Sequence, residues 1–142
     1  MKRVFICSPY RADTDEELQA NLVYARELCH VALRNDYAPF APHLIYTQFL
    51  DDNDPVERSE GVRAGCIFMQ ACQELWFGTK RGLSEGMKFE IDHAIKWLGI
   101  PIFGVAFSHS GMVKTPMKQT KRWLTAHTND KICRGVEVYS VK

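Results

Sequence analysis

The chain has 142 residues, 46% of them hydrophobic, with 18 basic and 17 acidic side chains for a formal charge of +1. One domain is the default at that length, and the apolar fraction is enough for a real core. A charge so near zero gives no electrostatic preference for nucleic acid or an acidic membrane, and no apolar run approaches membrane-spanning length.

Residues 4–7, Val-Phe-Ile-Cys, form a short apolar run stopped by Ser8 and Pro9, which predicts a buried strand followed by a loop. Residues 12–34 follow with helical spacing: Leu18, Leu22, Ala25, Cys29 and Ala32 fall near one stripe, and Thr14 or Asp15 is placed to cap the start. Asn35 and Asp36 end that helix, and residues 37–41 predict a short second strand containing Pro39. Residues 42–57 read as a loop rich in Asp and aromatics, with a helical turn at 44–50, of the kind that often serves as a functional lid. A helix is expected over 56–71, a third strand over 74–78 and its exit loop over 79–83.

Residues 84–98 predict the next helix, with Ser84 as N-cap, a stripe of Met87, Ile91, Ala94, Ile95 and Leu98, and Gly99 as C-cap. A fourth strand is expected over 100–105. From Ala106 the pattern weakens, leaving a helix over 116–125 and an edge strand over 135–141 as expectations. The basic residues Lys114, Lys118, Lys121 and Arg122 read as a solvated helix face.

Alternating strands and helices argue for a parallel sheet covered on both faces, whose binding sites lie beyond the carboxyl ends of the strands. That rule gathers three segments: Ser8, Pro9, Tyr10 and Arg11 after the first strand; Pro42 and His43 after the second; and the loop from Gly78 to Gly86 after the third. Free N–H groups at the helix start near Ser84 and Gly86 attract phosphate or carboxylate. Glu90 borders the apolar stripe of the same helix, where a carboxylate can act as nucleophile on a sugar carbon; the ordinary alternative is a solvent-facing acid paired with Lys88 or Lys96.

Arg11 could clamp a phosphate or simply lie on the surface. His43 could contact substrate, donate a proton or pack as an ordinary histidine. Asp51, Asp52 and Asp54 could bind ribose hydroxyls, hold a hard cation or solubilise the loop, while Tyr46 and Phe49 could stack on a base or form a small lid core. Trp76 reads as core.

There is no GxxxxGK[ST], no GxGxxG after the first strand and no GxSxG, so neither a P-loop, a usual dinucleotide site nor a hydrolase elbow is supported. No metal-ligand spacing links the histidines and cysteines, so no metal or other cofactor is expected. The five cysteines, Cys7, Cys29, Cys66, Cys72 and Cys133, lack CxxC spacing and read as small buried hydrophobes in a reducing compartment. With no signal-peptide pattern after Met1, a cytoplasmic protein is the expectation.

Four stretches together resemble the nucleoside 2-deoxyribosyltransferase superfamily, in particular its small bacterial and bacteriophage members without assigned function. They are residues 5–11 (Phe-Ile-Cys-Ser-Pro-Tyr-Arg), 41–44 (Ala-Pro-His-Leu), 74–78 (Glu-Leu-Trp-Phe-Gly) and 84–90 (Ser-Glu-Gly-Met-Lys-Phe-Glu). The resemblance spans residues 4–105 and leaves 106–142 outside it, as a tail that is a candidate for contact between subunits.

The resemblance implies an α/β, flavodoxin-like (Rossmann-like) three-layer sandwich with a mostly parallel sheet of about five strands, forming one domain over residues 1–142. It implies chemistry at the N-glycosidic bond, with Glu90 attacking C1′ of a deoxyribose and the glycosyl group passing to a base or to water. Similarity to the branch acting on deoxynucleoside 5′-monophosphates puts Ser84, Gly86 and Arg11 at the phosphate. Ser8, Pro9, Tyr10, His43, Asp52, Gly78 and Met87 complete the expected ligand contacts. The implied partners are a small nucleoside or nucleotide and a second copy of the chain, in a homodimer or larger.

The pattern departs from that branch where it carries an acid before the third strand: the matching region near Gly65 and Cys66 has none, and Gln73 stands just before the strand. A proton donor would then be Asp51, Asp52, Asp54, His43 or a neighbouring subunit's residue. A non-catalytic nucleotide-binding module is therefore the alternative, and a flavin-binding relative is a more distant third.

Overall fold

Val4, Phe5, Ile6 and Cys7 are all fully buried, which is possible only for a central strand covered on both faces. The computed structural model describes residues 1–117 and places that run in β1 (Lys2–Cys7) at the middle of a five-stranded sheet. The other strands are β2 (Tyr37–Phe40), β3 (Glu74–Gly78), β4 (Ile102–Ser108) and β5 (Gly111–Pro116). Their spatial order is β2-β1-β3-β4-β5, parallel except for β5, which runs antiparallel to β4. This is a flavodoxin-like α/β sandwich.

Alternation along β1 divides the core into two. Val4 and Ile6, with Trp76, pack under α1 (Asp15–Arg34) against Tyr24, Leu28 and Ala32. Phe5 and Cys7, with Leu75, face the opposite side, toward Met69 of α3 (Pro55–Met69) and Met87 and Ile91 of α4 (Glu85–His93). Cys7 therefore points at α4, where its Sγ lies 3.7 Å from the Met87 carbonyl.

Helix α1 starts where its capping chemistry predicts, with the Thr14 hydroxyl accepting from Glu17 N at 3.2 Å. Its buried face is Asn21, Tyr24, Ala25, Leu28 and Ala32, rotated slightly from the expected stripe, with Leu18, Leu22 and Cys29 only half-buried. The rotation brings Tyr24 over Gly78, where an added Cβ would meet the Tyr24 hydroxyl and would lie 2.8 Å from Leu28 Cδ1. Gly78 is thus a packing glycine at the end of β3. Residues 42–57, expected as a loop with a helical turn at 44–50, contain the short helix α2 (Pro42–Ile45) and a 3₁₀ turn (Tyr46–Gln48) before Asp54 caps α3. Helix α4 continues as a π turn over Ala94–Leu98 and stops at Gly99, whose φ of 61° is the left-handed conformation that suits glycine.

Two expectations in the tail need correction. Residues 106–116 are part of the sheet: β4 runs on to Ser108, β5 follows, and Pro116 ends a strand instead of opening a helix. Lys114 is not on a solvated helix face. From β5 it reaches across β4 to buried Glu74, with Nζ 2.6 Å from Oε2, donates to Tyr37 Oη at 2.9 Å, and lies 3.9 Å from the Phe103 ring centroid. Glu74 also accepts from Trp76 Nε1 at 2.8 Å. Burial alone would raise the Glu74 pKa, but these donors, Lys114 first, hold it below the usual carboxylate value. The expected helix beyond residue 117, the edge strand over 135–141, Lys118, Lys121, Arg122 and Cys133 lie outside the described residues. Cys7, Cys66 and Cys72 are buried free thiols and Cys29 is half-buried. Among the described residues no helix is long and apolar enough to cross a membrane.

Candidate active site

The chain turns in opposite directions along the sheet after β1 and after β2, so a crevice opens at the carboxyl ends of β1 and β3. A cavity of about 710 Å³ lies there. Its wall is built by Ser8, Tyr10 and Arg11 after β1, Pro42 and His43 of α2, Tyr46, Asp52, Arg58 and Cys66 of α3, and Ser84, Gly86, Met87 and Glu90 at the start of α4. Three segments distant in sequence therefore meet, as the strand-end rule required. Pro9 and Gly78 are not on the wall; the space beside Gly78 is filled by Tyr24 and Leu28.

The loop after β1 is held from below. Buried Asn21 donates to the Tyr10 carbonyl at 3.1 Å and accepts from Arg81 Nε at 2.7 Å. Ser8 Oγ sits 2.9 Å from His43 Nε2, which ties the β1 exit to α2. Burial lowers the His43 pKa to about 4, so at neutral pH the ring is an uncharged hydrogen-bond partner and not a standing acid.

Arg11 and Arg58 converge on one carboxylate. Asp52 takes Arg11 Nε at 2.8 Å and Arg58 Nη1 at 2.9 Å, and its carbonyl takes Arg11 Nη2 at 2.8 Å. Two guanidiniums thus share one acid at the cavity wall. The second of them also faces the start of α4: a Cβ on Gly86 would lie 3.9 Å from Arg58 Nη2. That helix start is capped by Ser84, whose hydroxyl accepts from Met87 N at 3.3 Å, while the Met87 sulfur lies 3.5 Å from Ser84 N. The Arg58 guanidinium and the helix dipole both face the cavity, whose wall also carries Glu57 and Glu85.

Glu90 stands one turn further along α4, half-buried on the same wall. Its ordinary partners are engaged elsewhere: Lys88 pairs with Glu85 at 2.9 Å and Lys96 with Asp92 at 3.0 Å. Burial raises the Glu90 pKa from 4.5 to about 7, offset in part by a hydrogen bond from Cys7 and by the charge of Arg58. A carboxylate with a raised pKa in a cleft marks a candidate for acid–base chemistry, and in its ionised form for nucleophilic chemistry.

The other acids of the lid are occupied. Asp54 caps α3 by accepting from Val56 N at 2.8 Å, Asp51 accepts from Asn53 N at 2.9 Å, and neither is on the cavity wall. Gly65 and Cys66 are on it, so the wall carries no acid where the resembling branch would have one. Gln73 lies at the far end of β3 and accepts from Arg3 N at 3.0 Å. Arg58 is the contributor that sequence reading missed: a single arginine in the first turn of a helix has no local signal. Tyr46 lines the cavity; Phe49 makes an edge contact with it at 5.9 Å and is otherwise exposed.

Residues 2–104 match the family described as "Domain of unknown function (DUF7768)". The chain belongs to that family. No curated protein matches it. Among solved structures, the chain is similar to a 2-deoxyribosyltransferase from the psychrotolerant bacterium Bacillus psychrosaccharolyticus, with a TM-score of 0.56, 96% of this chain and 98% of that chain covered, and 11% identical residues. At that identity the likeness is one of fold, and it extends through β5.

Proposed function

We propose that this chain cleaves or exchanges the N-glycosidic bond of a (deoxy)nucleoside or its 5′-monophosphate, with Glu90 as nucleophile. One Glu90 oxygen bonds to C1′ as the C1′–N bond breaks and its electron pair leaves with the base. Water or a second base then displaces Glu90 from C1′. In hydrolysis the water's hydroxyl ends on the sugar and its proton on the base, so atoms and charge balance. The carrying observation is Glu90 itself, half-buried on the cavity wall with a pKa near 7 and a helix start one turn away. The fold shared with a 2-deoxyribosyltransferase supports the same reading.

The phosphate of a monophosphate would meet Arg11, Arg58 and the amides between Ser84 and Met87, where two guanidiniums face one carboxylate. Tyr10, His43 and Tyr46 would face the sugar and base. A homodimer or larger is part of this proposal, supported by the large apolar side chains of Phe49, Val56, Ile67 and Phe68 left exposed on the lid and α3.

One observation favours a second reading, a protein that binds a nucleotide and leaves it intact. Of the candidate proton donors within the chain, Asp52 is held by two arginines, Asp51 and Asp54 serve the backbone, and His43 is neutral. Incubation with a panel of deoxynucleosides and their 5′-monophosphates, followed by chromatography, separates the two. Free base supports the glycosidic reading; tight binding with every ligand recovered intact supports the second and refutes the first.

A further inference from the structure

We propose that Asp52 is a specificity-determining residue: its carboxylate occupies the seat of the ligand's phosphate, so that only a doubly charged phosphate monoester takes that seat. The inference deepens the nucleotide reading above and rests on its placing of the phosphate at Arg11 and Arg58.

Arg11 follows β1 and Arg58 lies in the first turn of α3, yet both reach one oxygen. Asp52 Oδ2 takes Arg11 Nε at 2.8 Å and Arg58 Nη1 at 2.9 Å, and Oδ1 takes the same Nη1 at 3.1 Å. Two guanidiniums against one carboxylate leave the trio with a net positive charge, and all three residues line the cavity. The turn that carries Asp52 is fixed without its side chain. Asp54 N donates to the Asp51 carbonyl at 3.1 Å, while the Asp51 and Asp54 carboxylates accept from Asn53 N at 2.9 Å and Val56 N at 2.8 Å. The Asp52 carboxylate can therefore swing away with the backbone in place. Arg11 does not leave with it, because Nη2 donates to the Asp52 backbone carbonyl at 2.8 Å.

The seat is open toward α4. A Cβ on Gly86 would find Arg58 Nη2 at 3.9 Å and Ser84 Oγ at 4.0 Å as its nearest neighbours. A phosphate monoester brings three terminal oxygens for the two guanidiniums and the Gly86 backbone, whereas both Asp52 oxygens are engaged by the guanidiniums alone. Glu57 and Glu85 on the same wall oppose any anion that the arginines hold weakly. Displacing a tethered carboxylate thus takes more than one charge. A monoester dianion meets that demand and a diester monoanion does not.

The test is calorimetry on the full chain, as wild type and Asp52→Asn, at a mildly alkaline pH where the monoester is a dianion. The probes are carbocyclic 2′-deoxynucleosides of each DNA base, which lack the ring oxygen that glycosidic cleavage needs. Each carries a 5′-monophosphate, the methyl ester of that phosphate, or no phosphate. Wild type is expected to bind the monophosphate most tightly and the methyl ester no better than the nucleoside. Asp52→Asn is expected to gain about 10-fold for the monophosphate, to bind the methyl ester about 10-fold more tightly than the nucleoside, and to leave the nucleoside unchanged. Equal or weaker monophosphate binding by Asp52→Asn would mean that Asp52 organises the arginines for the ligand, and overturns the proposal. So does wild type binding the methyl ester as tightly as the monophosphate, or binding no monophosphate at all. If the variant does not fold, a structure of wild type with the carbocyclic monophosphate decides: the phosphate should lie between the guanidiniums with the Asp52 carboxylate turned away, and a carboxylate still on both overturns the proposal. Base release from natural monophosphates with no gain in Asp52→Asn would refute this inference and leave the glycosidic reading standing. The expected affinities, with every natural nucleotide recovered intact, would do the reverse.

Discussion

Replacing Glu90 by Gln should destroy activity and stabilise the fold, and the size of the gain should depend on pH. Burial penalises the Glu90 charge more than the Cys7 hydrogen bond and Arg58 relieve it, so the carboxyl titrates near 7 in the native state against 4.5 in the unfolded chain. Between those values the native protein holds a proton that the unfolded chain has released. Stability is therefore full below the unfolded value and is lost as pH rises through about 7. The lost stability is about 3 kcal/mol at pH 8 and less than about 1 kcal/mol at pH 5. A glutamine fills the same volume and carries no charge, so it escapes the loss. Urea unfolding of both proteins at pH 5 and pH 8 measures the gap, with equal m-values as the control. Glu90→Gln should be more stable than wild type by a few kcal/mol at pH 8, with the gap largely closed at pH 5. A gap that does not widen with pH would refute the burial argument.

Further perturbations test other parts of the structure. Arg58→Ala should weaken binding of a nucleoside 5′-monophosphate by about 10- to 100-fold in calorimetry and spare the nucleoside without phosphate; equal losses for both would remove Arg58 from the phosphate. Gly78→Ala forces a Cβ against Tyr24 and to 2.8 Å from Leu28, and should cost about 1–3 kcal/mol in urea unfolding; an unchanged midpoint would contradict that packing. Lys114→Met leaves Glu74 buried beside Trp76 with only the exposed Lys2 as a cation, at 3.7 Å, and costs about 2–4 kcal/mol at neutral pH. That cost should shrink as acid protonates Glu74, and a pH-independent loss would mean the lysine acts by packing alone.

Much of the fold was legible because most elements announce themselves locally. The apolar run at 4–7 could be only a buried strand, Thr14 and Ser84 cap the helices they were expected to cap, and Gly99 takes the left-handed turn that its place after Leu98 suggested. β5 was not legible because its inward positions are Met112 and Lys114, and a lysine facing inward reads as solvent unless its distant partner Glu74 is known. The site divides the same way. Ser8, Tyr10, Arg11, His43 and Glu90 could be gathered by the strand-end rule, since each follows a strand or a helix start. Arg58 could not, because its place on the wall depends on which face of α3 meets α4, a choice made by packing and not by spacing. Gly78 was drawn into the site by its position at a strand end, whereas the side chain of Tyr24 claims the space beside it.

The proposal that Glu90 and the Ser84–Met87 turn converge on one sugar is tested most directly by trapping. The protein is incubated with a deoxynucleoside 5′-monophosphate, quenched in acid, digested and mapped by mass spectrometry. The expected result is a deoxyribosyl phosphate ester on the peptide bearing Glu90, absent from Glu90→Gln. Base release by Glu90→Gln at the wild-type rate, or an adduct on a different carboxylate, would contradict it.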